Sequence, residues 1–171
     1  MHMQGRKQLE RHATVNASVG VVYRLFMDNA ELANWAPAVD AVTDIHGGDG
    51  SGLGATRTCA VTMNGKKGTM VERCVEAVPE RRAAFLVVDD SFGFGKMLTG
   101  YGFTAHFTPP ASEQTTVRIE TFYTPANLIT ALLNTLVMRR RLRSVVDEFL
   151  AGLRAHAERH QSQPEDLTPP R

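Results

Sequence analysis

Between residues 39 and 123 apolar and polar positions tend to alternate, a period of two that places successive side chains on opposite faces of a strand. Turn residues cut this alternation into Ala41 to His46, Ala55 to Met63, Gly68 to Val78, Ala83 to Asp89, Leu98 to Thr108 and Thr115 to Tyr123. Asn64-Gly65 separates the second piece from the third. Both centre positions of a tight hairpin need positive φ, so this pair predicts that the two pieces run antiparallel. His46 to Gly54 and Ser91 to Lys96 carry glycines and read as loops, whereas Pro79 to Arg82 reads as a turn.

The spacing outside this region is different. Leu9 to Val15 reads as a first strand that ends at Asn16, an N-cap candidate, and Val22, Leu25 and Phe26 at i, i+3, i+4 predict a short helix. Asp28 followed by Glu31 predicts a capping box that opens a second short helix, closed by Pro37. Thr124-Pro125 predicts an N-cap and a first-turn proline for a long helix. Apolar residues from Leu128 through Leu132, Leu136, Leu142, Val146 and Leu150 to Leu153 read as one stripe laid against the sheet. At ~1.5 Å per residue the segment to about Arg159 spans roughly 50 Å, so its end is expected to project. The layout is α+β: a curved antiparallel sheet wrapped on one long helix, with a hollow between them, in a single domain over residues 1–160 followed by a disordered tail over 161–171.

Composition narrows the function classes. A chain of 171 residues, 43% of them hydrophobic, can bury a core and still enclose a cavity. Nineteen basic side chains against 18 acidic ones give a net charge of +1, too little to gather nucleic acid or a membrane surface. Cys59 and Cys74 are the only cysteines and form no C-x-x-C, which excludes a disulfide framework and a four-thiolate zinc site. The basic Met1 to Lys7 is followed by no apolar signal segment, and Leu128 to Met138 falls far short of the ~20 residues of a membrane span. A soluble cytoplasmic protein is the expectation.

Alternation within single strands then nominates side chains. The odd face of Ala55 to Met63, with Cys59 and Val61, should point inward and carry Arg57 with it, either as a structural charge or as a cation for a ligand carboxylate or enolate. Tyr101, Phe103, Ala105 and Phe107 share one face and form an apolar wall, which leaves His106 on the other. In Gly68 to Val78 both faces are mixed, and periodicity does not place Glu72. In Thr115 to Tyr123 hydrophobicity turns Val117, Ile119 and Tyr123 inward and Glu120 outward. His156 and His160 are i, i+4, but residue 157 is alanine and the sequence offers no third ligand, so they read as a solvated helix end. Arg139, Arg140, Arg141 and Arg143 likewise read as a solvated face balanced by Asp147 and Glu148. No phosphate loop and no nucleophile elbow is present, and nothing asks for a metal or a cofactor.

Trp35-Ala36-Pro37-Ala38-Val39 after the short helices, Gly54-Ala55-Thr56-Arg57-Thr58 entering a strand, Glu72-Arg73 in the next, Tyr101 and the long terminal helix occur in an order that resembles the START-like superfamily. The resemblance is to its branch of polyketide cyclases, dehydrases and lipid transporters, and it covers nearly the whole chain. The resemblance implies the helix-grip fold and a cavity for an apolar or aromatic small molecule such as a lipid or polyketide, held for carriage or sensing. It places Glu72 in that cavity, beside Arg57, and favours Glu120 there against the hydrophobic pattern of its strand. With Tyr101, Phe103, Phe107 and the helix positions Leu133 and Val137, these are the expected ligand-binding residues. The family also holds aromatase/cyclases, which makes the alternative an enzyme with Glu72 or Glu120 as general base and Arg57 with Tyr101 at a developing enolate.

Overall fold

Seven antiparallel strands in one sheet support every other element of the structure, a computed structural model that describes residues 5–162. In chain order the elements are β1 (Lys7–Val15), α1 (Val19–Met27), α2 (Leu32–Trp35), β2 (Val39–His46), β3 (Thr56–Met63), β4 (Lys66–Val78), β5 (Arg82–Asp90), α3 (Phe94–Met97), β6 (Leu98–Ala111), β7 (Gln114–Pro125), α4 (Leu128–Leu133), a π-helical turn (Asn134–Met138) and α5 (Arg139–Ser162). The sheet order is β1-β7-β6-β5-β4-β3-β2, so each strand from β3 onward pairs with its predecessor and β1 closes beside β7. Asn64 and Gly65 both take positive φ between Met63 and Lys66, as the hairpin requires.

One face of this sheet is covered by α1, α2 and the second half of α5. Phe26 stands at the centre, with its ring centroid 5.2 Å from Phe107, 6.1 Å from Trp35 and 6.1 Å from Phe149. Val146, Leu150, Leu153 and Ala157 of α5 join Val15, Phe85, Ala105, Val117 and Ile119 in the same core. Gly152 permits the closest approach, because a Cβ there would collide with the carbonyl oxygen of Trp35.

Local signals misplaced several boundaries. Ser18, not Asn16, precedes α1, and Asn16 instead binds the Glu158 carboxylate through its backbone N–H and its side-chain amide. Asp28 closes α1 and accepts from the Ala30 N–H, while Glu31 precedes α2 without capping it, so the capping box does not form. β7 runs through Thr124 and Pro125, and Asn127 caps α4 by accepting from the Thr130 N–H at 2.9 Å. A short helix, α3, occupies part of the loop expected at Ser91 to Lys96. α5 continues through Gln161 and Ser162, so the expected tail does not start at residue 161; its remainder lies outside the described residues.

The terminal helix departs most from expectation. Leu128, Ile129, Leu132, Leu133, Leu136 and Val137 are exposed, Leu128 by 88%, and the inward side of this stretch holds Thr130 and Asn134. At 100° per residue the apolar group before residue 138 points roughly 120° away from the group after residue 141, so the two are separate stripes. The wider π-helical turn, which carries Leu136 and Val137, marks the end of the first stripe. The far end of α5 does not project: Leu153 and Ala157 are buried, and the Gln161 side chain accepts from the Ser18 N–H at 3.2 Å. Two substitutions test this division. Leu132→Glu should change unfolding free energy by less than about 0.5 kcal/mol, whereas Leu150→Ala should cost about 2–5 kcal/mol in urea denaturation. Equal costs would mean that α4 is covered as α5 is.

Candidate functional site

The inner wall of β3 to β6 carries an ion pair in an aromatic setting. Arg57 and Glu72 are direct cross-strand partners on β3 and β4, and the alternation that buries Cys59 and Val61 turns Arg57 the same way. Arg57 donates from Nε and Nη2 to Glu72 Oε2 at 2.9 and 2.8 Å, and from Nη1 to Asn29 Oδ1 at 3.0 Å. Its guanidinium carbon lies 4.4 Å from the Phe85 ring centroid. The Arg57 side chain is only 6% exposed and that of Glu72 13%. The hydrogen bonds to Glu72 among the described residues all fall on Oε2.

Aromatic rings of β6 extend this wall. Phe103 stacks on Phe85 at 5.4 Å, and Phe107 meets Tyr23 edge-on at 5.3 Å. Tyr101 lies between Phe94 and Tyr123, and burial, reinforced by the negative charge of Glu72, pushes its phenol well above the ordinary value. Tyr123 bonds through its hydroxyl to Asn134 Oδ1, and Asn134 Nδ2 donates to Gln8 Oε1 at 3.2 Å, a polar contact that seats the π-helical turn on the sheet. The Tyr23 hydroxyl is buried with no hydrogen-bond partner among the described residues, and burial raises its pKa. Burial also pushes the Cys59 thiol up to about 12, with the neighbouring Glu72 charge adding to the shift, and both cysteines are buried as free thiols.

Arg57, Glu72, Tyr101, Phe103 and Phe107 are thus brought to one side of the sheet. Glu120 is not. Val117, Ile119, Thr121 and Tyr123 fill the inner face of β7, and Glu120 points outward to Lys7, His106 and Arg118. It lines an outer depression of about 470 Å³ with Arg82, Thr104 and His106. The hydrophobic pattern of that strand was the sounder guide, because an apolar residue moved outward costs burial at every second position. Leu133 and Val137 are exposed for the reason given above. Arg139 donates to the Gln8 carbonyl and Arg141 to Asn64 Oδ1, while Asp147 pairs with Arg11 instead of with the basic run. His156 is 7% exposed and meets the Glu31 carboxylate, so it is no solvated helix end. Asn29, Tyr23 and Phe85 had no signal as site residues: Asn29 lies in a turn, Tyr23 sits beside the i, i+3, i+4 set of α1, and Phe85 was one apolar strand residue among several.

Comparison with known proteins agrees with this architecture. Residues 6–158 match the family described as polyketide cyclase/dehydrase and lipid transport, and the chain belongs to that family. Among solved structures it is similar to a START superfamily protein from Mycobacterium smegmatis, with 10% identity, a TM-score of 0.74, and coverage of 90% of this chain and 99% of the other. It is also similar to the Zhui aromatase/cyclase from Streptomyces sp. R1128, at 19% identity and TM-score 0.69 over 89% and 93% of the two chains. A major latex-like protein from Panax ginseng shares 17% identity at TM-score 0.66 over 91% and 97%. No curated protein sequence matches. The similarity therefore fixes a START-type fold, and no helix among the described residues is long and apolar enough to cross a membrane.

Two measurements check the electrostatics of the wall. Arg57→Met strands the Glu72 carboxylate and should lower stability by about 3–5 kcal/mol, most of it recovered in the double variant with Glu72→Leu. Additive losses would mean that the two side chains do not interact. Native protein at pH 8 should leave Cys59 and Cys74 unmodified by a thiol reagent, with both reacting in denaturant, as read by mass spectrometry. Rapid native reaction at Cys59 would contradict its burial.

Proposed function

We propose that the protein binds an apolar or aromatic small molecule with one polar end, such as a lipid or polyketide, between the sheet and the terminal helix, for carriage or sensing. The observation that carries this reading is the Arg57–Glu72 pair, almost wholly buried on the inner wall beside aromatic rings. A buried ion pair is seldom more stabilising than apolar residues of the same volume, so its position favours a recognition role. Glu72 Oε1, outside the fork with Arg57, would accept from a ligand hydroxyl, and Phe103 and Tyr101 would hold the apolar body. The unpartnered Tyr23 hydroxyl supports the same reading, since a buried donor left unpaired costs about 1–3 kcal/mol and a ligand oxygen would relieve it. Two reduced, buried cysteines fit a cytoplasmic setting.

A catalytic reading draws on the similarity to an aromatase/cyclase. In it, Glu72 takes a proton from an acidic carbon of the bound molecule, while Arg57 and Tyr101 stabilise the enolate oxygen. Glu120 has no part in either reading, because it stands on the other face of the sheet.

Titration with an environment-sensitive apolar dye tests the site. Phe103→Asp should abolish binding and Glu120→Gln should leave it intact. Tyr23→Phe should raise the unfolding midpoint of ligand-free protein and weaken binding. Equal binding by all of these variants would refute an interior site. Mass spectrometry of co-purified ligand separates the two readings: a carrier returns it unchanged, whereas a catalyst converts it, with Glu72→Gln slower by about 10²–10⁴-fold.

A further inference from the structure

The end of α5 and the start of α2 bring three metal-ligating side chains together. His156 and His160 are i, i+4 and share one face of the helix, with ring centroids 4.4 Å apart. The third residue is Glu31, far away in sequence, whose Oε2 lies 2.8 Å from His156 Nε2. One ligand atom from each of the three lies within 4.8 Å of the others. In a tetrahedral zinc site with bonds near 2.0–2.2 Å, neighbouring ligand atoms stand about 3.3 Å apart. The widest separation therefore has to close by about 1.5 Å at most, which the exposed His160 ring can supply, while His156 Nε2 and Glu31 Oε2, now 2.8 Å apart, have to open by about 0.5 Å.

Hydrogen bonding already orients one of the imidazoles. His160 Nδ1 lies 3.0 Å from the His156 carbonyl oxygen and donates to it, a contact that puts the proton on Nδ1 and leaves the lone pair of Nε2 open. This is the outer-shell arrangement that holds metal-bound histidines in place. His156 needs one change: its Nε2 proton, now directed at Glu31, must leave, and the neutral ring re-protonates at Nδ1. Arg159, which lies 3.2 Å from that Nδ1, is exposed and can swing into solvent.

We propose that Glu31, His156 and His160 bind a borderline divalent cation, with Zn²⁺ the best match to a two-imidazole, one-carboxylate donor set, and that a fourth position remains for water. Bound metal ties the start of α2 to the last turns of α5, a second clasp beside the Gly152–Trp35 contact. The site is separate from the inner wall, so its test does not depend on the identity of the small-molecule ligand.

The experiment uses untagged full-length protein stripped with a chelator and titrated with ZnCl₂ by calorimetry, with Co²⁺ absorption reporting the ligand field. One equivalent of Zn²⁺ should bind, and free metal at a hundredfold excess over Kd should raise the unfolding midpoint by about 5–10 °C. His160→Ala and Glu31→Gln should each weaken binding at least about tenfold, while His46→Ala and His106→Ala leave it unchanged. The metal-free midpoint of His160→Ala, a change at an exposed position, should match wild type. Failure of the wild type to bind, binding indifferent to both ligand changes, or loss in only one of them overturns the three-ligand site.

Discussion

Phe149 of α5 meets Trp35 of α2 at 4.6 Å and Phe26 of α1 at 6.1 Å, and the layered structure depends on that contact. A sheet with one apolar face is unstable until something covers it, and here the cover is assembled from two short neighbouring helices, α1 and α2, and from α5, which is far from them in sequence. The aromatic rings meet edge to face, and the Trp35 indole N–H donates to the Leu25 carbonyl, so the buried tryptophan leaves no polar atom unsatisfied. Any side chain at Gly152 would hold α5 off this cluster. Arg11 with Asp147, and Glu158 with Asn16, then fasten the same helix to β1 and to the chain that leaves it.

That closure explains how a charged pair comes to sit on the inner wall. β3 and β4 are joined by a two-residue turn, which sets their register and makes residues 57 and 72 partners. Phe85 on β5 lies against the guanidinium, and Asn29, in the turn between α1 and α2, reaches it from above. Arg57 is thereby satisfied by a carboxylate, an amide and a ring. Among the described residues, Glu72 keeps an oxygen outside the fork and Tyr23 keeps an unpaired hydroxyl. Under the proposed function, a wall with spare acceptors and donors beside aromatic surface suits an amphipathic small molecule better than a purely apolar one.

The first half of the terminal helix follows another logic. Asn127 starts it after β7, and Asn134 and Tyr123 anchor it through polar contacts, with Thr130 as the other buried side chain. Its apolar residues consequently face away from the anchor. The π-helical turn lets a continuous helix be held by polar groups at one end and by an apolar core at the other.

Strand number, the hairpin at Asn64-Gly65, the inward set Tyr101, Phe103 and Phe107, and the apolar parity of β7 were all legible in the sequence, because period-two alternation and turn chemistry are local. The inward position of Arg57 was legible for the same reason. Helix boundaries were less so: the Asp28–Glu31 pair and Thr124-Pro125 have the right residue types, yet the carboxylate of Glu31 goes to Asn34 and His156, and Pro125 stays in β7. Glu120 was misplaced because a family likeness was set against the pattern of its own strand. The partners of Arg57, the open hydroxyl of Tyr23 and the meeting of Glu31 with His156 and His160 belong to tertiary structure alone. They join side chains on separate elements, and no spacing along the chain encodes which helix end will come to rest beside which turn once the aromatic core has closed.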